Sequence, residues 1–152
     1  MNAQPVFLRI LQHLRPRRSA PGAADGRAAA GRWGEQQAAR ALRRKGYAIL
    51  GRRVRIGRRD ELDLVARDGG VLVFVEVKTR RSESFGRPLA AVNRAKRHYL
   101  SRAAVRYLKR LRRPPAAFRF DIVEVIGAPG VREPTVRHVE NAFPLDRCYR
   151  VP

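Results

Sequence analysis

The sequence predicts an α/β domain, on three observations. Stretches with helical periodicity alternate with short strand-like runs. One of those runs, Val71-Leu72-Val73-Phe74-Val75, is apolar on both faces, as a central buried strand is. A chain of 152 residues suits one such domain with a single core.

Residues 1–30 run from an apolar-basic stretch, Phe7 to Leu14, through Arg15-Pro16-Arg17-Arg18 into an Ala-, Gly- and Pro-rich tract, and are expected to form a basic flexible N-terminal arm. The domain proper is expected over residues 31–140, with a loose C-terminal tail over 141–152. Trp33 to Lys45 predicts a helix stopped by Gly46. Ala38, Ala39 and Leu42 follow Glu35 at helical spacing, so this glutamate shares the apolar stripe. Tyr47 to Val54 predicts a first strand, ending in a basic turn at Arg58-Arg59.

Glu61 to Ala66 alternates charged and apolar residues, and Arg67-Asp68-Gly69-Gly70 supplies a turn into Val71 to Val75. Residues 89–111 predict a long helix with an apolar stripe of Leu89, Val92, Leu100, Ala104 and Leu108, ended by Pro114-Pro115. Phe118 to Ile126 predicts another strand, and Val136 to Val139 a short edge strand.

Charge narrows the function. Lys+Arg total 34 against 13 Asp+Glu, a net charge of +21. So basic a chain repels itself and is best explained beside a polyanion, with DNA the favoured partner, because each neutralised phosphate releases counterions. The single cysteine, Cys148, excludes an intramolecular disulfide and a cysteine-based zinc site, and is consistent with a reducing, cytoplasmic setting. His13, His98 and His138 are scattered without paired-ligand spacing, which argues against a zinc hydrolase. No run approaches the ~18 apolar residues that a membrane span needs. Val6-Phe7-Leu8, broken by Arg9 and His13, is a poor signal peptide.

The chemistry concentrates where the central strand ends, in Glu76-Val77-Lys78. Glu76 and Lys78 share the face that Phe74 occupies. If Asp68-Gly69 closes a two-residue hairpin, Asp63 faces Phe74 and lies diagonal to Glu76; a register two residues longer sets the two acids directly opposite. One residue of slip would place them on opposite faces. Two carboxylates at such a point repel each other and lose hydration, and a divalent cation removes that cost. Mg²⁺ or Mn²⁺ suits two acids and a substrate phosphate, and Lys78 could stabilise the transition-state charge. Taken alone, the E-x-K spacing, which occurs by chance in many basic proteins, reads as a plain ion pair in which Lys78 neutralises Glu76. The five apolar residues before it, the acid-bearing strand upstream and the helix glutamate favour the functional reading.

These residues resemble the PD-(D/E)xK phosphodiesterase superfamily, and more closely the YraN family of small bacterial proteins. The resemblance rests on Gly31-Arg32-Trp33-Gly34-Glu35, Glu61-Leu62-Asp63-Leu64-Val65-Ala66, Val73 to Arg80, Phe85-Gly86, Val92 with Lys96, and Phe120-Asp121-Ile122-Val123. It implies a restriction-endonuclease-like fold, a central mixed β-sheet flanked by helices. That family is similar to archaeal Holliday-junction resolvases, which implies catalytic roles for Glu35, Asp63, Glu76 and Lys78, metal ligation by Asp63 and Glu76, and a homodimer as an expected assembly. Where the family usually carries Gly, this chain has Asp60, a change that either alters the turn entering the strand or adds a carboxylate near the metal.

Around the motif, Arg80, Arg81, Arg87, Lys96 and Arg97 are the expected phosphate contacts, which position a backbone without reading its sequence. His98 and Tyr99 are expected as packing or surface residues. Two functions compete: a metal-dependent endonuclease acting on DNA, and a catalytically weak nucleic-acid-binding module of the same fold.

Overall fold

A computed structural model describes residues 25–82, 92–130 and 132–151. Strands β1 (Ala48–Ile56), β2 (Asp60–Asp68), β3 (Val71–Arg80), β4 (Ala117–Ile126) and β5 (Thr135–Phe143) form one sheet, ordered as in the chain. Neighbours are antiparallel except β3 and β4, which run parallel. A parallel pair needs a crossover, and helix α2 (Arg94–Leu108) lies within it, while α1 (Asp25–Arg44) precedes the sheet. This mixed sheet with two helices among the described residues is the expected α/β class, consistent with a restriction-endonuclease-like fold.

Strand alternation assigns each helix its face. On one side Ala38, Ala39 and Leu42 of α1 pack against Leu64, Val73, Val75, Val123 and Val125. On the other, Leu100, Ala104 and Leu108 of α2 pack against Leu72, Phe74, Phe120 and Ile122. Phe74 centres the second layer, its ring centroid 5.6 Å from Tyr107 and 5.7 Å from Phe120. The continuous apolar run of β3 is thus buried from both sides.

Several boundaries differ from expectation. Helix α1 begins at Asp25 rather than Trp33, because the Ala28-Ala29-Ala30 tract has high helix propensity and carries the turn upstream. Helix α2 begins at Arg94, where the Asn93 side chain accepts the Lys96 N–H at 2.9 Å and caps it. Val92 is buried just ahead of this cap, and Leu89 lies outside the described residues. Strand β5 continues to Phe143, past an irregularity in the β4–β5 register between Phe120 and Ile122. The Asp121 carboxylate steadies that irregularity, accepting the Asn141 N–H at 2.9 Å and pairing with Arg119 and His138.

The hairpin turn is also displaced. Asp68 pairs with Val71, so the loop is Gly69-Gly70 rather than Asp68-Gly69. Gly69 takes a positive φ of 54°, which glycine adopts without steric cost. The register moves by two residues and therefore keeps Leu64 to Ala66 and Leu72 to Val75 on their expected faces.

Gly34 fixes the approach of α1 to the end of β3, since a Cβ there would run into Thr79 Oγ1. Gly34→Ala is expected to destabilise the fold by about 1–2 kcal/mol through overpacking. An unchanged urea midpoint would contradict that close approach.

Candidate functional site

Recorded pairing between β2 and β3 extends to Leu64↔Val75. Beyond that point Asp60 to Leu62 pair with β1, and Glu76 to Arg80 pair with β4. Continuing the β2–β3 register sets Asp63 opposite Glu76, the longer-register alternative. The Val77 N–H donates to Asp63 Oδ2 at 2.8 Å, so the aspartate satisfies a backbone donor where the two strands part.

Glu76 is buried, with a side chain 3% exposed. Its Oε1 lies 2.7 Å from Lys78 Nζ, and its Oε2 lies 3.1 Å from Lys96 Nζ, reaching in from the first turns of α2. That second oxygen is buried and receives no well-directed hydrogen bond despite the nearby ammonium. Burial above all, and then the charge of Glu76, push the Asp63 carboxyl up to about 7, against the Val77 N–H and Lys96, which favour its ionised form. Glu35 adds a smaller push in the same direction, which brings the α1 glutamate into the electrostatic reach of the pair. Its own carboxyl is raised by burial, opposed chiefly by Arg53.

The structure therefore gathers Glu35, Asp63, Glu76 and Lys78 at one end of the sheet. The carboxylates of Glu35, Asp63 and Glu76 do not all converge within 4.8 Å of one another among the described residues. Glu76 is drawn instead to its two lysines.

Arg53 is a member of this region that sequence reasoning missed. It adopts a left-handed backbone with φ of 50°, uncommon for any residue that carries a Cβ. From there its guanidinium reaches Glu61 Oε1 at 3.3 Å and Glu35 Oε2 at 3.9 Å. Nothing in a run of basic residues distinguishes this one. Tyr99, expected as packing, has a linking role: its hydroxyl accepts the Glu61 N–H at 2.6 Å and donates to the Arg59 carbonyl at 3.1 Å. Lys96 Nζ lies 5.0 Å from the centre of the same ring.

With that geometry described, residues 34–125 match the model of the uncharacterised protein family UPF0102. The chain belongs to this family. It is 51% identical over 113 residues to the UPF0102 protein of Symbiobacterium thermophilum, an overlap covering 74% of this chain and 94% of that one. It is also 44% identical over 121 residues to the UPF0102 protein of Trichlorobacter lovleyi, covering 79% and 94% respectively. With the UPF0102 protein of Streptomyces coelicolor it shares 46% identity over 122 residues, 78% of this chain and 93% of the relative. Membership is the outcome that the sequence motifs led us to expect.

In this UPF0102 chain Asp60 turns away from the carboxylate site. Its buried Oδ1 lies 2.7 Å from Arg102 and its Oδ2 2.6 Å from Arg106, both on α2. Burial opposes ionisation, but the two guanidinium hydrogen bonds outweigh it and hold the carboxyl below its ordinary range. Of the two sequence alternatives, a further metal-proximal carboxylate is thus replaced by a tie between the start of β2 and α2. Asp60→Ala is expected to destabilise the UPF0102 fold by about 1–3 kcal/mol, and an unchanged urea midpoint would contradict the tie.

The expected phosphate contacts divide. Arg81 is exposed. Arg80 lies 2.9 Å from Glu124, a buried acid opposite Lys78 on β4. Arg97 donates to the Val92 carbonyl at 3.0 Å and stands over the Phe143 ring, and Lys96 is held by Glu76. Arg87 lies outside the described residues. No helix among the described residues is long and apolar enough to cross a membrane.

Proposed function

We propose that this chain is a nucleic-acid-binding, Mg²⁺- or Mn²⁺-dependent endonuclease that hydrolyses DNA phosphodiester bonds, with branched or structured DNA as its substrate class. The observation that carries this is Asp63, bonded at 2.8 Å by the Val77 N–H next to Glu76 where β2 and β3 part, with Lys78 2.7 Å from Glu76. The donors suit such an ion: both acids offer oxygen, Glu76 Oε2 is buried without a directed hydrogen bond, and Asp63 retains its proton to about 7. When bound, a divalent ion supplies Lewis-acid polarisation of the scissile phosphate. Asp63 and Glu76 would hold it.

The chain's own groups do the rest. Lys78, partly exposed, holds Glu76 in place and can turn an N–H toward a non-bridging phosphate oxygen. Glu35, its carboxyl raised by burial and so made more basic, is suited to accept the proton of an attacking water. Lys96 can exchange its pairing with Glu76 for a phosphate once that acid is otherwise neutralised. A cytoplasmic setting and a homodimer on a symmetric junction belong to the same proposal.

A second function, that of a binding module with little catalysis, is favoured by Glu76 being already neutralised by Lys78 and Lys96. Incubation with linear, nicked and four-way DNA plus Mn²⁺ separates the two. Cleavage that EDTA stops supports the enzyme. Salt-sensitive binding without cleavage of any of these substrates supports the module.

A further inference from the structure

We propose that His98, Asp146 and Cys148 form a zinc-type site, separate from the carboxylate site, that clasps the segment after β5 onto α2. Spacing in the sequence gives no hint of it, and the single cysteine, which excludes a zinc site built on cysteines, leaves open a mixed set completed by a histidine and a carboxylate from distant elements. His98 comes from α2, and Asp146 and Cys148 from the stretch beyond β5. One ligand atom of each lies within 4.8 Å of the others.

The distances fit a small tetrahedral ion. His98 Nδ1 is 3.0 Å from Asp146 Oδ2 and 3.7 Å from Cys148 Sγ. Ligands about 2.0–2.3 Å from a tetrahedral Zn²⁺ stand roughly 3.3–3.8 Å apart, so small side-chain adjustments admit the ion. Three protein ligands leave a fourth position for water.

Supporting contacts hold the ligands before any ion arrives. The Asp146 N–H donates to the buried Ser101 Oγ at 3.0 Å, anchoring the turn to α2. The Cys148 N–H donates to Asp146 Oδ1 at 3.2 Å. His98 Nε2 lies 2.9 Å from Tyr149 Oη; donation of its N–H there leaves Nδ1 as the ligand.

The ligand chemistry also selects the ion. A mixed nitrogen, oxygen and sulfur set suits Zn²⁺, whereas Mg²⁺ seeks oxygen and keeps its waters. One carboxylate and one thiolate cancel the charge of the ion within the site, and with the thiol proton released the already basic chain gains only one positive charge. The ion binds the thiolate, so binding displaces the thiol proton and tightens as pH rises.

The test uses full-length protein stripped with EDTA and titrated with Co²⁺, then Zn²⁺, in excess Mg²⁺. The expected result is a thiolate-to-cobalt charge-transfer band that Zn²⁺ abolishes and that survives Asp63→Ala. Cys148→Ser should lose the band and weaken Zn²⁺ binding by about 100-fold, and Tyr149→Phe by about tenfold. Cys148 is exposed, and an unchanged melt of Cys148→Ser in EDTA establishes that its fold is intact. A cobalt spectrum without the sulfur band, or Cys148→Ser binding Zn²⁺ as tightly as wild type, overturns the proposal.

Discussion

Alanine at Asp63 or at Glu76 is expected to lower Mn²⁺-dependent cleavage by about 10³-fold, with duplex affinity held within about threefold. The two effects separate because they come from different parts of the surface. On the proposed function, affinity would arise from the net charge of +21, and removing one acid from such a surface should not weaken phosphate contacts. Cleavage, on the proposed function, would depend on Asp63 and Glu76, which lie within electrostatic reach of each other where β2 and β3 part. Lys78→Met should also lower single-turnover rates, by about 10²-fold, since it removes the ammonium 2.7 Å from Glu76. Lys96→Met should mainly weaken substrate binding, because its partner in the free protein is the same acid. Single-turnover cleavage and filter binding at one fixed salt concentration check all four. Equal losses of binding and cleavage in Asp63→Ala would show that the acid supports the fold and not the chemistry.

Asp63→Asn is expected to be more stable than wild type at pH 8 without metal, by about 2–4 kcal/mol. The Asp63 carboxyl, ordinarily near 3.8, is pushed up to about 7 by burial and by Glu76. Between those values the folded chain holds a proton that the unfolded chain has lost. Wild-type stability therefore falls as pH rises through this window, and stays lower above it. Asparagine removes the titration and keeps an oxygen for the Val77 N–H. The difference should vanish below about pH 4 and narrow when Mn²⁺ stabilises the ionised wild type. Urea unfolding at pH 5 and pH 8, with and without Mn²⁺, reads this directly. A variant less stable than wild type at pH 8 would contradict an Asp63 carboxylate destabilised by burial and by Glu76.

Much of the fold was legible because local pattern and burial agree. The run Val71 to Val75 is apolar at every position, and it occupies the centre of the sheet with a helix on each side. Glu35, Asp63, Glu76 and Lys78 were legible from strand parity and helix spacing, which survive a two-residue change of register. Boundaries set by single contacts were not legible. The Asn93 cap and the Asp121-centred irregularity in β4–β5 depend on partners distant in sequence. Long-range pairs were hidden for the same reason. Nothing adjacent to Asp60 reveals Arg102 and Arg106, nor anything near His98 its neighbours Asp146 and Cys148. Spacing arguments see ligands that share one element, whereas this fold assembles them from several.

The most direct measurement is a Mn²⁺ soak of crystals at pH 8, read by anomalous scattering. The account predicts one peak bridging Asp63 and Glu76, with Lys96 withdrawn from Glu76 and the peak lost in Asp63→Ala. An absence of any peak there at saturating Mn²⁺, with Glu76 still paired to Lys78 and Lys96, would contradict it.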